Sequence, residues 1–137
     1  DYAIEVAKPL KAKLVIFHCF HIPITTKKMP DYLPSVTELE RKKMTALRKI
    51  GKVLHAKHGN KISIEFVCKQ GLAVDLISEY LKGNKIDLIV MGTHGGGIII
   101  EKMIGSVTTS LIRRSNIPVL VVGNDAKFGG IKRIVLA

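Results

Sequence analysis

The 137-residue chain has no tryptophan, three tyrosines and four phenylalanines, so its core has to come from Ile, Val and Leu. Such an aliphatic core suits parallel strands covered on both faces. Cysteine is equally scarce: Cys19 and Cys68 each sit in an apolar run. This excludes a disulfide scaffold and fits reduced packing thiols in an intracellular protein. No apolar run reaches the ~20 residues that cross a bilayer, and the first residues are not charged-then-apolar. The expectation is a cytoplasmic protein with no membrane contact. Acidic residues are short too, 11 Asp and Glu against 22 Lys and Arg, a net charge of +11. That balance favours anionic partners. The basic residues are dispersed, however, over the solvated helix face "ERKKMTALRKIGK" (Glu40–Lys52) and the positive helix end "IRRS" (Ile112–Ser115). Without interleaved aromatic platforms, specific nucleic-acid binding is not expected.

What is present is regular, and the length fits one domain with a proper core. "DYAIEVAKPLKAK" places Ala3, Val6, Ala7 and Leu10 on one helical face, with Pro9 near its end. "LVIFHCF" (Leu14–Phe20) reads as a buried strand, and the proline-containing stretch after it as a loop. "SVTE" (Ser35–Glu38) has capping-box spacing; the helix that follows carries Leu47, Ile50 and Leu54 and stops at Gly59. "KISIEFVCK" (Lys61–Lys69) alternates like a strand near an edge. "LAVDLISEYLKGN" is a helix with Val74, Ile77 and Leu81 on one side, closed by Gly83-Asn84. "IDLIVMG" (Ile86–Gly92) and "IPVLVVG" (Ile117–Gly123) are apolar strands, and the helix between them directs Ile104, Val107 and Leu111 inward. The alternating order predicts an α/β fold, a doubly wound parallel sheet. After it, "NDAKFGG" reads as a linker and "IKRIVLA" (Ile131–Ala137) as one more strand. The chain thus opens inside a helix with no strand before it and ends on a strand with no helix after it. The expectation is a domain over 1–123, with 124–137 as linker and surplus strand, cut from a tandem protein.

The densest feature is "IVMGTHGGGIIIEKMIGSVTTSLI" (Ile89–Ile112), where Gly92, Gly95, Gly96, Gly97 and Gly105 punctuate a strand-to-helix passage. In open α/β sheets, ligands bind beyond the carboxyl ends of strands, where loops lead into helix N-termini. Glycine lets a phosphate approach the backbone, and free helical amides stabilise its charge. Gly92 and Gly95 stand at the strand end; Gly105-Ser106 opens the helix, with Thr108 and Thr109 adding hydroxyls. No Gly-Lys-Ser/Thr follows and the G-x-G-x-x-G pattern is absent, so neither a Walker loop nor a dinucleotide fingerprint is present. Gly96 and Gly97 read as turn formers, and the Ile98–Ile100 run as core or interface.

Gly92-Thr93-His94-Gly95, nine residues, then Gly105-Ser106 resembles the G-x-x-G, nine residues, G-S/T motif of ATP-binding universal stress proteins. "DLIVMGTHG" before it and "GSVTTSLIRRSNIPVLVV" after it are similar to that family as well, and the likeness runs from Asp1 to about Val122. The resemblance implies five parallel strands in the order 3-2-1-4-5 with four helices. It implies ATP, with or without magnesium, held by the glycine loop and by the helix start Gly105-Ser106-Val107-Thr108. Adenine would meet backbone near Cys19; ribose and phosphates would lie along Met91, Gly92, Thr93, His94, Gly95 and Ser106. It also implies pairing through the last strand, Pro118 to Val122, as a homodimer or between tandem domains. The family's first strand and the Asp behind it are not found before Asp1, whereas "IKRIVLA" looks like that strand. This segment could occupy the vacant position in cis or, better given its short linker, by exchange between chains.

The function expected is nucleotide-dependent regulation in a stress response. Ser106 has no His and acid arranged around it, and no dedicated base or arginine finger is visible, so turnover would be at most slow ATP hydrolysis. The alternatives are a dimerisation domain of the same fold without nucleotide, and a nucleotidyl-transferring α/β enzyme. His55 and His58, three apart on a helix, read as solvated polar positions rather than metal ligands. His18 and Cys19 point to opposite faces of their strand and form no dyad.

Overall fold

The computed structural model describes residues 1–22, 35–59, 62–93 and 104–132. Its elements are α1 (Tyr2–Leu10), β1 (Leu14–Phe20), α2 (Val36–His58), β2 (Ile64–Gln70), α3 (Ala73–Gly83), β3 (Ile89–Gly92), α4 (Ser106–Arg114) and β4 (Val119–Val122). The strict alternation of helix and strand is the one the hydrophobic pattern predicts. All strand pairing is parallel: β1 with β2 from Leu14↔Ile64 to Phe20↔Gln70, and β3 with β4 from Ile89↔Val119 to Gly92↔Val122.

These pairs form two separate two-stranded sheets. Among the described residues no strand joins the two pairs. Between them runs a cleft of about 670 Å³, walled by Leu14–Phe17 of β1 and Leu88–Met91 at β3, with α1 and α3 contributing Ile4, Ala7, Ile77 and Leu81. The cleft explains a departure from expectation. Strands of this composition should be fully covered, yet every residue of β3 and β4 and most of β1 is half-buried or more exposed. Among the described residues no strand pairs with their inner edges.

The helices form where local chemistry favours them. The Ser35 hydroxyl accepts the Glu38 N–H at 3.2 Å, one half of the anticipated capping box. Gly59 ends α2 at φ +75, a conformation that side-chain-bearing residues resist, and returns its N–H to the His55 carbonyl. Along α2, Leu47 is buried and Leu54 packs on the core, but Ile50 is turned out to solvent. In α1 the buried face is Ile4, Val6 and Ala7. Leu10, expected inside, is exposed because α1 ends there, one residue past Pro9. Ile4 and Ala7 meet Ile62, which precedes β2, to form a small aliphatic core with Leu14, Leu54 and Ile64 around it. In α4 the inward residues are Leu111, wholly buried, and Thr108; Ile104 lies ahead of the helix and is exposed.

Two further readings change. His58 is not a solvated position: its ring is 10% exposed, with Nε2 at 3.0 Å from Asp1 and Nδ1 at 3.0 Å from Glu5. Ile131 and Lys132 belong to neither sheet, so the final segment does not begin as an in-cis strand; 133–137 lie outside the described residues.

Candidate functional site

Within each pair the parallel strands end on the same side, and the glycine-rich passage leaves from the end of β3. The passage is pinned at its base. Thr93 donates its N–H to the Val122 carbonyl at 3.0 Å, tying the exit of β3 to the end of β4. Its carbonyl accepts the Gly105 N–H at 2.7 Å. The chain therefore departs at Thr93 and returns to the same place at Gly105. His94, Gly95, Gly96, Gly97 and the Ile98–Ile100 run lie outside the described residues.

Gly105 is the N-cap of α4, with φ −57 and ψ 148. It needs no special backbone freedom, so its lack of a side chain matters for the space in front of the helix. The first intrahelical bond runs from the Thr109 N–H to the Gly105 carbonyl at 2.9 Å. The amides of Ser106, Val107 and Thr108 stand ahead of that ladder, at the positive end of the helix. Among the described residues no side chain caps them, and the first turn carries no acidic residue, whereas Arg113 and Arg114 sit in the last turn. Helices normally place a carboxylate or a capping oxygen at this end. Ser106 is exposed and Val107 half-buried.

Thr108 plays a different part from the one its hydroxyl suggests. Its side chain is buried, and Oγ1 donates to the Gly92 carbonyl at 3.1 Å. The bond fixes the end of β3 against the first turn of α4. Sequence reasoning missed this link, and the Thr93 link beside it, because neither bond carries a spacing signal. Met91 lies in the cleft wall rather than at the strand tip, and Gly92 is exposed at that tip. Cys19 lies near the end of β1, opposite Lys69 of β2. Burial pushes its thiol pKa up, with a smaller upward contribution from Cys68. Both cysteines are free thiols, protonated at neutral pH and poorly suited to nucleophilic work. Among the described residues, no group of three or more His, Cys, Asp or Glu converges as a metal site, and no helix is long and apolar enough to cross a membrane.

The model of the universal stress protein family matches residues 1–123. The chain is 30% identical over 128 residues to universal stress protein MJ0531 of Methanocaldococcus jannaschii, covering 92% of this chain and 74% of the relative. It is 42% identical over 64 residues to universal stress protein Slr1230 of Synechocystis, which covers 47% of this chain and only 22% of that longer relative. Among solved structures, a universal stress protein in complex with cAMP superposes with a TM-score of 0.58 at 26% identity, covering 88% of this chain and 81% of the other. The structure of hypothetical protein MJ0577 shares the fold, with a TM-score of 0.54 at 21% identity over 91% of this chain and 88% of the other.

Proposed function

Because the chain belongs to the universal stress protein family, we propose that it is a nucleotide-dependent regulator that binds ATP, with or without magnesium, at the α4 N-terminus. The observation that carries this reading is the pinned helix start. Thr93 holds Gly105 in place, and the amides of Ser106, Val107 and Thr108 project from a helix end with neither a cap among the described residues nor an acidic first turn. A phosphate group supplies the negative charge and acceptor oxygens such an end lacks. The cAMP complex of a relative supports an adenine nucleotide as the ligand class. The strand tip at Gly92 adjoins the phosphates, with Thr93 behind it. His94 and Gly95 continue that wall by family likeness, as Cys19 marks the adenine side. Thr108 contributes its amide, while its hydroxyl keeps Gly92 and α4 at fixed separation. Binding rather than turnover is the role these groups serve, and the protein acts in the cytoplasm through its nucleotide state. Pairing of two domains along β4, from Pro118 to Val122, completes the assembly.

Ser106→Glu separates this reading from a purely structural one. An acidic first-turn residue favours the helix dipole by about 0.3–1 kcal/mol, so the fold keeps or gains stability. The same charge repels phosphate at the amides. Titration calorimetry with ATP should show saturable binding to the natural chain and at least tenfold weaker binding to the variant, with unchanged circular dichroism. Equal affinities, or no saturable binding to either, would reject nucleotide recognition at this helix.

A further inference from the structure

Helix α2 has two faces of opposite character. The inner face lies on β2, where Leu47 is buried and a Cβ added to Gly51 would strike the Phe66 ring. The outer face carries charge of one sign: seven Lys and Arg stand between positions 41 and 58, with no Asp or Glu among them. Lys42 pairs with Glu38 at 3.2 Å and Lys57 with Asp1 at 2.5 Å. Arg41, Lys43, Arg48, Lys49 and Lys52 are exposed and make no ion pair among the described residues. Arg41, Arg48 and Lys52 recur at i, i+7 and i+11, one row along the helix, with Lys49 beside it. Ala46, Ile50 and Val53 form an adjacent row at i, i+4 and i+7, bordered on its other side by Lys43. Ile50 is 51% and Val53 66% exposed, so two branched apolar side chains face outward in the middle of a basic surface.

We propose that this outer face of α2 docks on an anionic lipid bilayer, the helix lying flat with Ile50 and Val53 set among the headgroups. The charge fixes the sign of the occupant. A second copy of the chain, itself at +11, is repelled. A partner that wraps a basic amphipathic helix on all sides does not fit either, because β2 already holds the inner face. A nucleic acid would use the row of cations but gain nothing from Ile50 and Val53, and α2 offers no aromatic ring for a base to stack on. An anionic bilayer uses both rows: cations near the headgroups gain from the negative surface potential, and apolar side chains reach the acyl boundary. The 23 residues of α2 extend about 34 Å, a straight convex surface that a planar layer meets without needing a groove. The contact is peripheral, since no helix among the described residues is long and apolar enough to cross a bilayer. It departs from the sequence expectation of no membrane contact, which rested on the lack of a spanning or leader segment.

Co-sedimentation of the full chain with vesicles tests the assignment, using phosphatidylcholine alone or with about one third phosphatidylglycerol. The natural chain should bind the anionic vesicles at least tenfold more tightly than the neutral ones, and less tightly as salt rises. Arg48→Glu with Lys52→Glu should weaken that binding at least tenfold. Lys82→Glu with Lys127→Glu, the same change of net charge at exposed positions off α2, should leave it within about threefold. Ile50→Ser with Val53→Ser keeps every charge and should still weaken binding at least threefold, a loss that attraction by charge alone does not produce. Circular dichroism of each variant should match the natural chain. Equal binding to both kinds of vesicle, or equal losses from the two charge-reversed pairs, would overturn the proposal. So would full binding by the serine pair, or binding of a DNA duplex, and not of vesicles, that the Arg48 and Lys52 variant loses.

Discussion

Gly51 shows how one residue sets the spacing of a layer. It is buried in α2, and a Cβ built there collides with the ring of Phe66 on β2. The helix lies this close to the strand because nothing projects at position 51. Gly51→Ala gains about 1 kcal/mol of helix propensity but overpacks the contact, which typically costs about 1–3 kcal/mol. Urea unfolding should find a net loss of stability, larger for Gly51→Val; a stabilised alanine variant would show that the ring tilts away freely. Thr108 is the counterpart at the site. Thr108→Val removes the donor to the Gly92 carbonyl and should cost about 0.5–1.5 kcal/mol in the same assay. An unchanged midpoint would mean that the bond does not hold β3 against α4.

At the scale of elements, α1 is fastened to α2 by charge as well as by the Ile4 and Ala7 contacts. Asp1, Glu5 and Lys8 present one face of α1 to His58, and Asp1 also pairs with Lys57. The Lys8 hydrogen bond, first of several causes, holds the Glu5 carboxyl below its ordinary value. A depressed folded-state value stabilises the fold above the ordinary carboxylate range, and that contribution is lost as pH falls through it. Glu5→Gln should therefore lower the urea midpoint at neutral pH and differ little from the natural chain at pH 3. A gap that persists in acid would point to lost packing instead. Every element was legible in periodicity and punctuation, with β1 placed to the residue and α3 to within one residue at each end. The strands β2, β3 and β4 came out shorter than their apolar runs because pairing, not composition, ends a ladder. The ion cluster around His58 was not legible, since it joins the two ends of a fifty-residue separation. Ile50 misled because apolar spacing locates a face but not its cover.

For the whole molecule, the charge of +11 and the positive helix end would act together on the proposed anionic ligand. Electrostatic attraction at the protein surface is screened over about 10 Å at 0.1 M salt. ATP affinity should accordingly weaken between 50 and 300 mM salt, and a flat response would leave contact chemistry alone to account for binding. The proposed ligand end belongs to β3, β4 and α4, which Thr93 ties into one unit. The G-x-x-G, nine-residue, G-S spacing made that end visible in the sequence; the bonds that hold Gly105 and Gly92 in position became visible only in three dimensions. The most direct test is an amide-resolved NMR titration of the full chain with ATP. The Ser106, Val107 and Thr108 amides should shift saturably and among the most strongly of all, whereas saturable shifts confined to other elements, or none, would contradict nucleotide binding at the α4 N-terminus.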